Sequence, residues 1–195
     1  MQADYSVELG ADDPALEIPW RADDGSVRYF NLKRSPDLVL NIAEAREHPE
    51  LSSFLSRINA PDFPLETAKC DAWSSAELAP EEEIFGAASK FASYVDLIFS
   101  DGAARLSLEK NETLAQEICN LLKRAPEMAA AAEFVVRHCH YHESDQHSRL
   151  GFCVTAYVTG YGDSEEEARQ RWTIALKLLQ HALVQVNRGQ ATGQR

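Results

Sequence analysis

Two hydrophobic patterns alternate along the 195 residues of this chain. Residues 91–99 alternate between two sets of side chains with a period of two, which is typical of a β-strand. Residues 51–58 instead place apolar side chains along one helical face, at Leu51, Phe54, Leu55 and Ile58. The pattern therefore predicts both strands and amphipathic helices.

Six segments have the composition and the flanking turn residues of strands. They are residues 16–21, 27–32, 65–73, 91–99, 132–143 and 151–161. The intervening ADDG predicts that the first two strands form a hairpin, and SDQHSRL connects the last two.

Helices are predicted between and after these strands. A helical region over 37–59 is interrupted by Pro49, and a short helix begins near Pro80. Residues 114–122 carry another apolar helical face. The last helix begins at Ser164, which forms a capping box with the glutamate three residues later.

The order strand, strand, helix recurs, which predicts an internal repeat. Candidate units span residues 16–60, 65–125 and 131–187. Trp73 and Tyr141 occupy matching places in the first strands of the two later units. Because one such unit cannot bury its own apolar face, we expect the units to join in one sheet.

The predicted fold class is α+β, with an antiparallel or mixed sheet built from repeated β-β-α units and helices packed on one face. No linker of glycine and serine divides residues 1–188, so we expect a single domain. The polar residues 189–195 are expected to form a flexible tail.

Composition and charge narrow the class of partner. Hydrophobic residues make up 45% of the chain, enough for a globular core, and the formal net charge is −12. This charge argues against binding to nucleic acid or to an anionic membrane surface, since both need Lys and Arg. A protein or a small molecule is the expected partner, and a homo-oligomer is a further expectation.

The start MQADYSVELG lacks the features of a signal peptide, and the four cysteines form no CxxC motif, which favours a cytoplasmic location.

The most unusual stretch is HCHYHESDQH, residues 138–147. His138, His140 and His142 share one face of the predicted strand, because alternate side chains of a strand point the same way. With a turn centred near Gln146, His138 lies opposite Val154 and His140 opposite Phe152, on the interior side of the sheet.

A transition-metal site is one interpretation of these histidines, with zinc or another divalent transition metal as the cofactor. The candidate ligands are His138, His140, His142, His147 and Asp145. Three alternate histidines spread about 13 Å along a strand, so two of them with a loop residue suit one ion better than all three. The other interpretations are polar residues on an accessible or partly interior sheet face, and a proton switch near the usual histidine pKa.

Aromatic and basic residues predict a second candidate surface. Trp73, Tyr141, Lys69 and Arg137 are expected on a sheet face, where they could contact a ligand or a partner.

No convergent catalytic set or cofactor motif is present in the sequence, so no catalytic residue is predicted. The leading hypothesis is a non-enzymatic cytoplasmic binding or interaction domain. The alternative is a metal-binding protein, with metal-dependent hydrolysis as its chemistry.

Overall fold

The computed structural model describes residues 1–22, 24–144 and 147–192. Its strands are β1 (Gln2–Glu8), β2 (Leu16–Ile18), β3 (Leu65–Ser75), β4 (Ser89–Phe99), β5 (Ala130–Ser144) and β6 (His147–Gly162). They form one six-stranded sheet with the order β1-β5-β6-β4-β3, and β2 also pairs with β5. β1 and β2 run parallel to β5, whereas the other neighbouring strands are antiparallel. The predicted α+β class with a mixed sheet is confirmed.

The helices lie between and after the strands. They are α1 (Ala43–Glu47), α2 (Pro49–Ile58), α3 (Gly102–Arg105), α4 (Leu108–Leu122) and α5 (Glu165–Thr192), with 3₁₀ helices over Pro36–Asn41 and Pro80–Phe85. Pro49 begins α2, as the predicted interruption requires. The expected flexible tail is helical over 189–192, and residues 193–195 lie outside the described residues.

The strand-strand-helix order occurs twice, in β3-β4 followed by α4 and in β5-β6 followed by α5. β4 and β6 pair at the centre of the sheet and join these two hairpins. The predicted first hairpin forms only as a short turn. Arg21 and Val27 make an isolated antiparallel bridge, flanked by backbone hydrogen bonds from Ala22 to Ser26 and from Arg28 to Trp20, but residues 27–32 form no strand. The repeat of the sequence itself stays a prediction.

Helices α2, α4 and α5 pack on one face of the sheet, where the main hydrophobic core lies. Trp172 of α5 is fully buried there, and its indole N–H donates a 2.8 Å hydrogen bond to the Ser93 hydroxyl of β4. Gly160 lets α5 approach β6 closely, because a Cβ atom at this position would lie 2.2 Å from the backbone nitrogen of Trp172. The glycine is therefore required by packing between helix and sheet.

Residues 19–22 and 24–32, which we call the crossing segment, lie over part of the opposite sheet face. Tyr29 of this segment packs on a second apolar cluster formed by Ile18, Ile98, Cys139, Tyr141 and Cys153. Further along the segment, Leu32 is buried in the main core on the helix side. The chain thus passes from one sheet face to the other and covers the end of the sheet near the β5-β6 turn.

Candidate functional site on the helix-free sheet face

The helix-free face of the sheet carries a band of aromatic side chains in the part that the crossing segment leaves open. Trp73 of β3 lies 6.4 Å from Tyr94 of β4, measured between ring centroids, and Tyr94 lies 5.9 Å from Tyr157 of β6. Arg137 of β5 continues the band, since its guanidinium lies 5.7 Å from the Tyr157 ring centroid. Arg137 also pairs with Glu8 of β1, with 3.2 Å between the nitrogen and the oxygen. Pairing of the strands therefore aligns one aromatic and basic row across the sheet.

A groove of about 820 Å³ begins at this band and extends toward the end of the sheet that carries the 3₁₀ helix Pro80–Phe85. Its floor includes small side chains of three adjacent strands, Ala92, Thr159 and Ala131. Trp73 and Tyr157 of the aromatic band line the groove. Phe85 also lines it, and its ring stacks on Tyr161 with 4.1 Å between the ring centroids. Small residues on the floor and large aromatic residues around it leave a depression that a ligand can fill.

Carboxylates outnumber amines among the side chains that line this groove. The carboxylates belong to Asp4, Glu81, Glu82 and Glu133, and the amines belong to Lys90 and Lys123. Asp4, Glu81 and Glu133 are exposed to solvent. With the N-terminal ammonium of Met1, which also lines the groove, four negative charges face three positive ones, and the remaining negative charge favours a cationic occupant.

Glu82 is held in place by its neighbours at one wall of the groove. Its carboxylate accepts hydrogen bonds from Lys90 at 2.6 Å and from the Tyr161 hydroxyl at 2.9 Å. Partial burial disfavours the anion, but these bonds and one from the Ala79 amide lower the pKa of Glu82. Glu82 therefore remains an anion that fixes the position of the 3₁₀ helix beside the sheet.

Asp96 lies on the same sheet face but beneath the surface. The side chain is 5% exposed, and its carboxylate accepts a 2.6 Å hydrogen bond from the Thr155 hydroxyl on β6. Burial raises the pKa of Asp96 to about 6, although the hydrogen bond and the positive charges of Arg137 and Lys69 lower it in part. This carboxyl group changes charge within the physiological pH range.

The predicted histidine site lies on the other, helix-side face of β5. The register assumed from the sequence is wrong by two residues, because His138 pairs with Phe152 and His140 with Leu150. A shift of two residues keeps each side chain on the same face, so the predicted alternation is retained. The His138 ring stacks on Phe152 at 5.5 Å between centroids, and its Nδ1 is buried with no hydrogen-bond partner among the described residues.

The remaining candidate ligands are spread along the hairpin. His140 is half-buried, and the exposed His142 has its Nε2 3.7 Å from a carboxylate oxygen of Glu17. His147 is exposed, and Asp145 lies outside the described residues. Within residues 1–22, 24–144 and 147–192, no group of three or more His, Cys, Asp or Glu side chains has the arrangement of a metal site.

The four residues of the predicted aromatic and basic surface lie on one sheet face, but the structure separates them. Trp73 and Arg137 belong to the open aromatic band, and the Lys69 ammonium lies 5.1 Å from the Trp20 ring centroid of the crossing segment. Tyr141 is only 7% exposed, and its hydroxyl donates a 2.7 Å hydrogen bond to the Phe152 carbonyl. Tyr141 therefore belongs to the covered apolar cluster and not to the open band.

Several residues of the groove were missed by the reasoning from sequence. Tyr157 alternates in phase with Thr155 and Thr159 on β6, and this pattern could have placed it on the helix-free face. Phe85 carried no such signal, because its position depends on how the 3₁₀ helix packs against Tyr161.

Comparison with family models, with curated proteins and with solved structures found no match to this chain. Among the described residues, no helix combines the length and the apolar character needed to cross a membrane. The geometry of the sheet face is consequently the basis on which a function can be inferred.

Proposed function

We propose that this chain is a non-enzymatic binding domain that holds an extended, basic segment of a partner protein in the groove on the helix-free sheet face. The observation that carries the proposal is the groove of about 820 Å³, which combines a sheet floor and aromatic lining with an excess of carboxylates. Its volume lies within the roughly 300–1,000 Å³ of typical ligand pockets.

The shape of the groove supports an extended occupant. Ala92, Thr159 and Ala131 lie side by side on neighbouring strands, so the floor continues across the sheet. Trp73 is 39% exposed beside this floor and offers apolar contact area to a partner. Aromatic side chains are enriched in the centres of protein interfaces because they bury a large area with few rotatable bonds.

The charges of the groove support a basic occupant. Glu133 and Glu81 are exposed, and neither forms a salt bridge with another described residue. The whole chain carries a formal net charge of −12, which attracts a basic partner from a distance.

Binding without catalysis is supported by the state of the ionisable groups that line the groove. Glu82 is already paired with Lys90 and accepts a hydrogen bond from Tyr161, so it has no free position as a general base. Burial and the Glu82 anion raise the pKa of Tyr161, which keeps this hydroxyl protonated. Glu82 and Tyr161 therefore stabilise one wall of the groove, and the exposed carboxylates and aromatic rings are the groups that would contact a partner.

The test uses a fluorescein-labelled peptide of alternating lysine and leucine, and a matched peptide with glutamate in place of lysine. Fluorescence anisotropy should show saturable binding of the basic peptide and none of the acidic one. Glu133→Lys should weaken binding by about tenfold or more at low salt, because it replaces an attractive charge by a repulsive one. Glu47→Lys, the same change at an exposed residue of α1 outside the groove, should alter the Kd by less than about twofold.

A second variant tests the floor of the groove. Ala131→Phe adds a ring where the floor is partly exposed, and it should abolish binding of the basic peptide while the circular dichroism spectrum remains unchanged. Equal effects of Glu133→Lys and Glu47→Lys would refute the proposal. Light scattering that shows self-association abolished by Ala131→Phe would also overturn it, because the groove would then bind a second copy of this chain.

A transition-metal function for the histidine strand remains a second proposal. The proximity of Glu17 to His142 supports it, since a carboxylate and an imidazole are both common zinc ligands. The test is metal analysis of protein without a histidine tag, in which His140→Ala should remove a full equivalent of zinc and His181→Ala on α5 should remove none. Sub-stoichiometric zinc in the unsubstituted protein would refute this proposal.

A cytoplasmic location is supported by the free thiols of all four cysteines.

A further inference from the structure

A second cavity, which we call the edge pocket, lies where the crossing segment passes the outer edge of β3. Its volume is about 370 Å³, which is within the range of small-molecule sites. Trp20 and Phe30 of the crossing segment line one side, and Ile42 and Glu44 at the start of α1 line the other. Cys70 of β3 also lines the cavity.

The inner part of the edge pocket is apolar. Leu32 and Leu55 are 3% and 1% exposed and belong to the main core, while Phe30 and Ile42 pack partly buried against it. The polar atoms of Thr67 at this depth are satisfied by Asn59, which accepts from the Thr67 amide and donates to its hydroxyl. The apolar part of a ligand can therefore enter the pocket without leaving the Thr67 amide or hydroxyl without a hydrogen-bond partner.

Two carboxylates, Glu44 and Asp71, and two cations, Arg28 and Lys69, line the edge pocket. Arg28 pairs with Asp24, and the Lys69 ammonium lies over the Trp20 ring. Glu44 is half-buried, and its carboxylate forms no hydrogen bond or salt bridge with another described residue, while its backbone carbonyl accepts from the His48 amide. Burial, together with the negative charges of Glu44 and Asp71, raises the pKa of the Cys70 thiol to about 12. The thiol therefore stays protonated, and a positive charge placed beside Glu44 would be stabilised.

The edge of β3 adds hydrogen-bonding groups to the pocket. The register between β3 and β4 is irregular between Thr67 and Cys70, and no β4 partner pairs there with Ala68 or Lys69. Lys69 directs its ammonium over the Trp20 ring, which closes part of the opening. Backbone groups at a strand edge can bind the polar end of a ligand.

We infer that the edge pocket binds a small organic cation, with an apolar body against Phe30, Leu32 and Ile42 and a protonated amine beside Glu44. The apolar depth, the unpaired carboxylate and the volume all point to this class of ligand. This site is separate from the groove, because the two cavities share no lining residue.

The test compares three probes of similar shape, namely 2-phenylethylamine, the neutral 2-phenylethanol and the anionic 3-phenylpropanoate. Titration followed by NMR should give a millimolar Kd for the amine, about tenfold weaker binding of the alcohol and no binding of the acid. Glu44→Gln should weaken binding of the amine by about fivefold or more and leave the alcohol unchanged. Glu47→Gln, on the same helix but outside the pocket, should change neither value.

Alkylation of Cys70 gives a second readout that locates the ligand. Because the raised pKa leaves little thiolate, the alkylation is run slowly at alkaline pH; Cys119, Cys139 and Cys153 are at most 1% exposed, so iodoacetamide should react first with the partly exposed Cys70. Saturating 2-phenylethylamine should slow this reaction by about threefold or more, as measured by mass spectrometry of the digested protein. Equal affinities for the amine and the alcohol, or an alkylation rate that the amine leaves unchanged, would overturn the inference.

Discussion

Replacing the buried Asp96 with asparagine should make the stability of the fold less sensitive to pH. Asp96 is 5% exposed and lies at the centre of the sheet, where β4 pairs with β6. Asparagine has nearly the same shape, and its carbonyl oxygen can still accept the hydrogen bond from Thr155. The substitution therefore removes the ionisable group with little change of packing.

The magnitude follows from the pKa of Asp96, which burial raises from 3.8 to about 6. One pKa unit corresponds to about 1.36 kcal/mol, so the buried anion costs about 3 kcal/mol when fully ionised. Well below pH 3.8 the carboxyl group is protonated in both states and this cost is absent, whereas at pH 4 about 0.6 kcal/mol of it is already present. As the pH rises from about 4 to 6 the unfolded state loses its proton first, so stability falls, and above about pH 6 the full cost is present.

Urea unfolding at about pH 4 and about pH 8, followed by tryptophan fluorescence to which the buried Trp172 contributes, measures this effect. Between these two conditions, the free energy of unfolding of Asp96→Asn should gain about 2.4 kcal/mol relative to the unsubstituted protein. Any constant cost of burying the asparagine amide cancels in this difference. Asp71→Asn, at an exposed carboxylate on β3, is the control for the loss of one negative charge. A difference below about 0.5 kcal/mol for Asp96→Asn would show that the Asp96 anion is not disfavoured by burial.

Three further substitutions test the packing of the sheet, each by urea unfolding at neutral pH. Gly160→Ala should lower the free energy of unfolding by about 2 kcal/mol or more, because its methyl group meets the backbone of α5, and an unchanged value would refute the close approach. Ser93→Ala should cost about 1–3 kcal/mol, since it leaves the indole N–H of Trp172 buried without an acceptor, and Ser93→Thr should restore part of the loss. Asn59→Ala should cost about 2–3 kcal/mol, because the Thr67 amide and hydroxyl lose their buried partner, and a loss below about 0.5 kcal/mol would contradict this role.

Local periodicity was sufficient to predict most elements. The alternation over 91–99 corresponds to the inner strand β4, and the apolar stripe of 51–58 corresponds to the buried face of α2. His138 and Val136 were placed on the same face despite the error in register, because a shift of two residues does not change the face. These predictions depend only on the geometry of a single strand or helix.

Pairing between distant segments could not be predicted in the same way. β1 was missed, because its short mixed sequence forms a strand only by pairing in parallel with β5, more than 120 residues later in the chain. Residues 27–32 have the composition of a strand, but they belong to the crossing segment that leaves the sheet. For the same reason, the sequence reasoning grouped Tyr141 with Trp73 in one surface, although Tyr141 is buried in the second apolar cluster.

The sequence by itself determined the class of the fold, the buried face of most elements and the negative charge on which the proposed basic partner rests. Only the tertiary structure decided which side chains meet, because strand order and the path of the crossing segment bring together residues far apart in the chain. The groove joins β1, β3, β4, β5 and β6, and the edge pocket joins the crossing segment to α1 and β3. The alternation of side chains depends only on the geometry of one strand or helix. The choice of strand partner depends on contacts between distant parts of the chain, which form when the whole core packs.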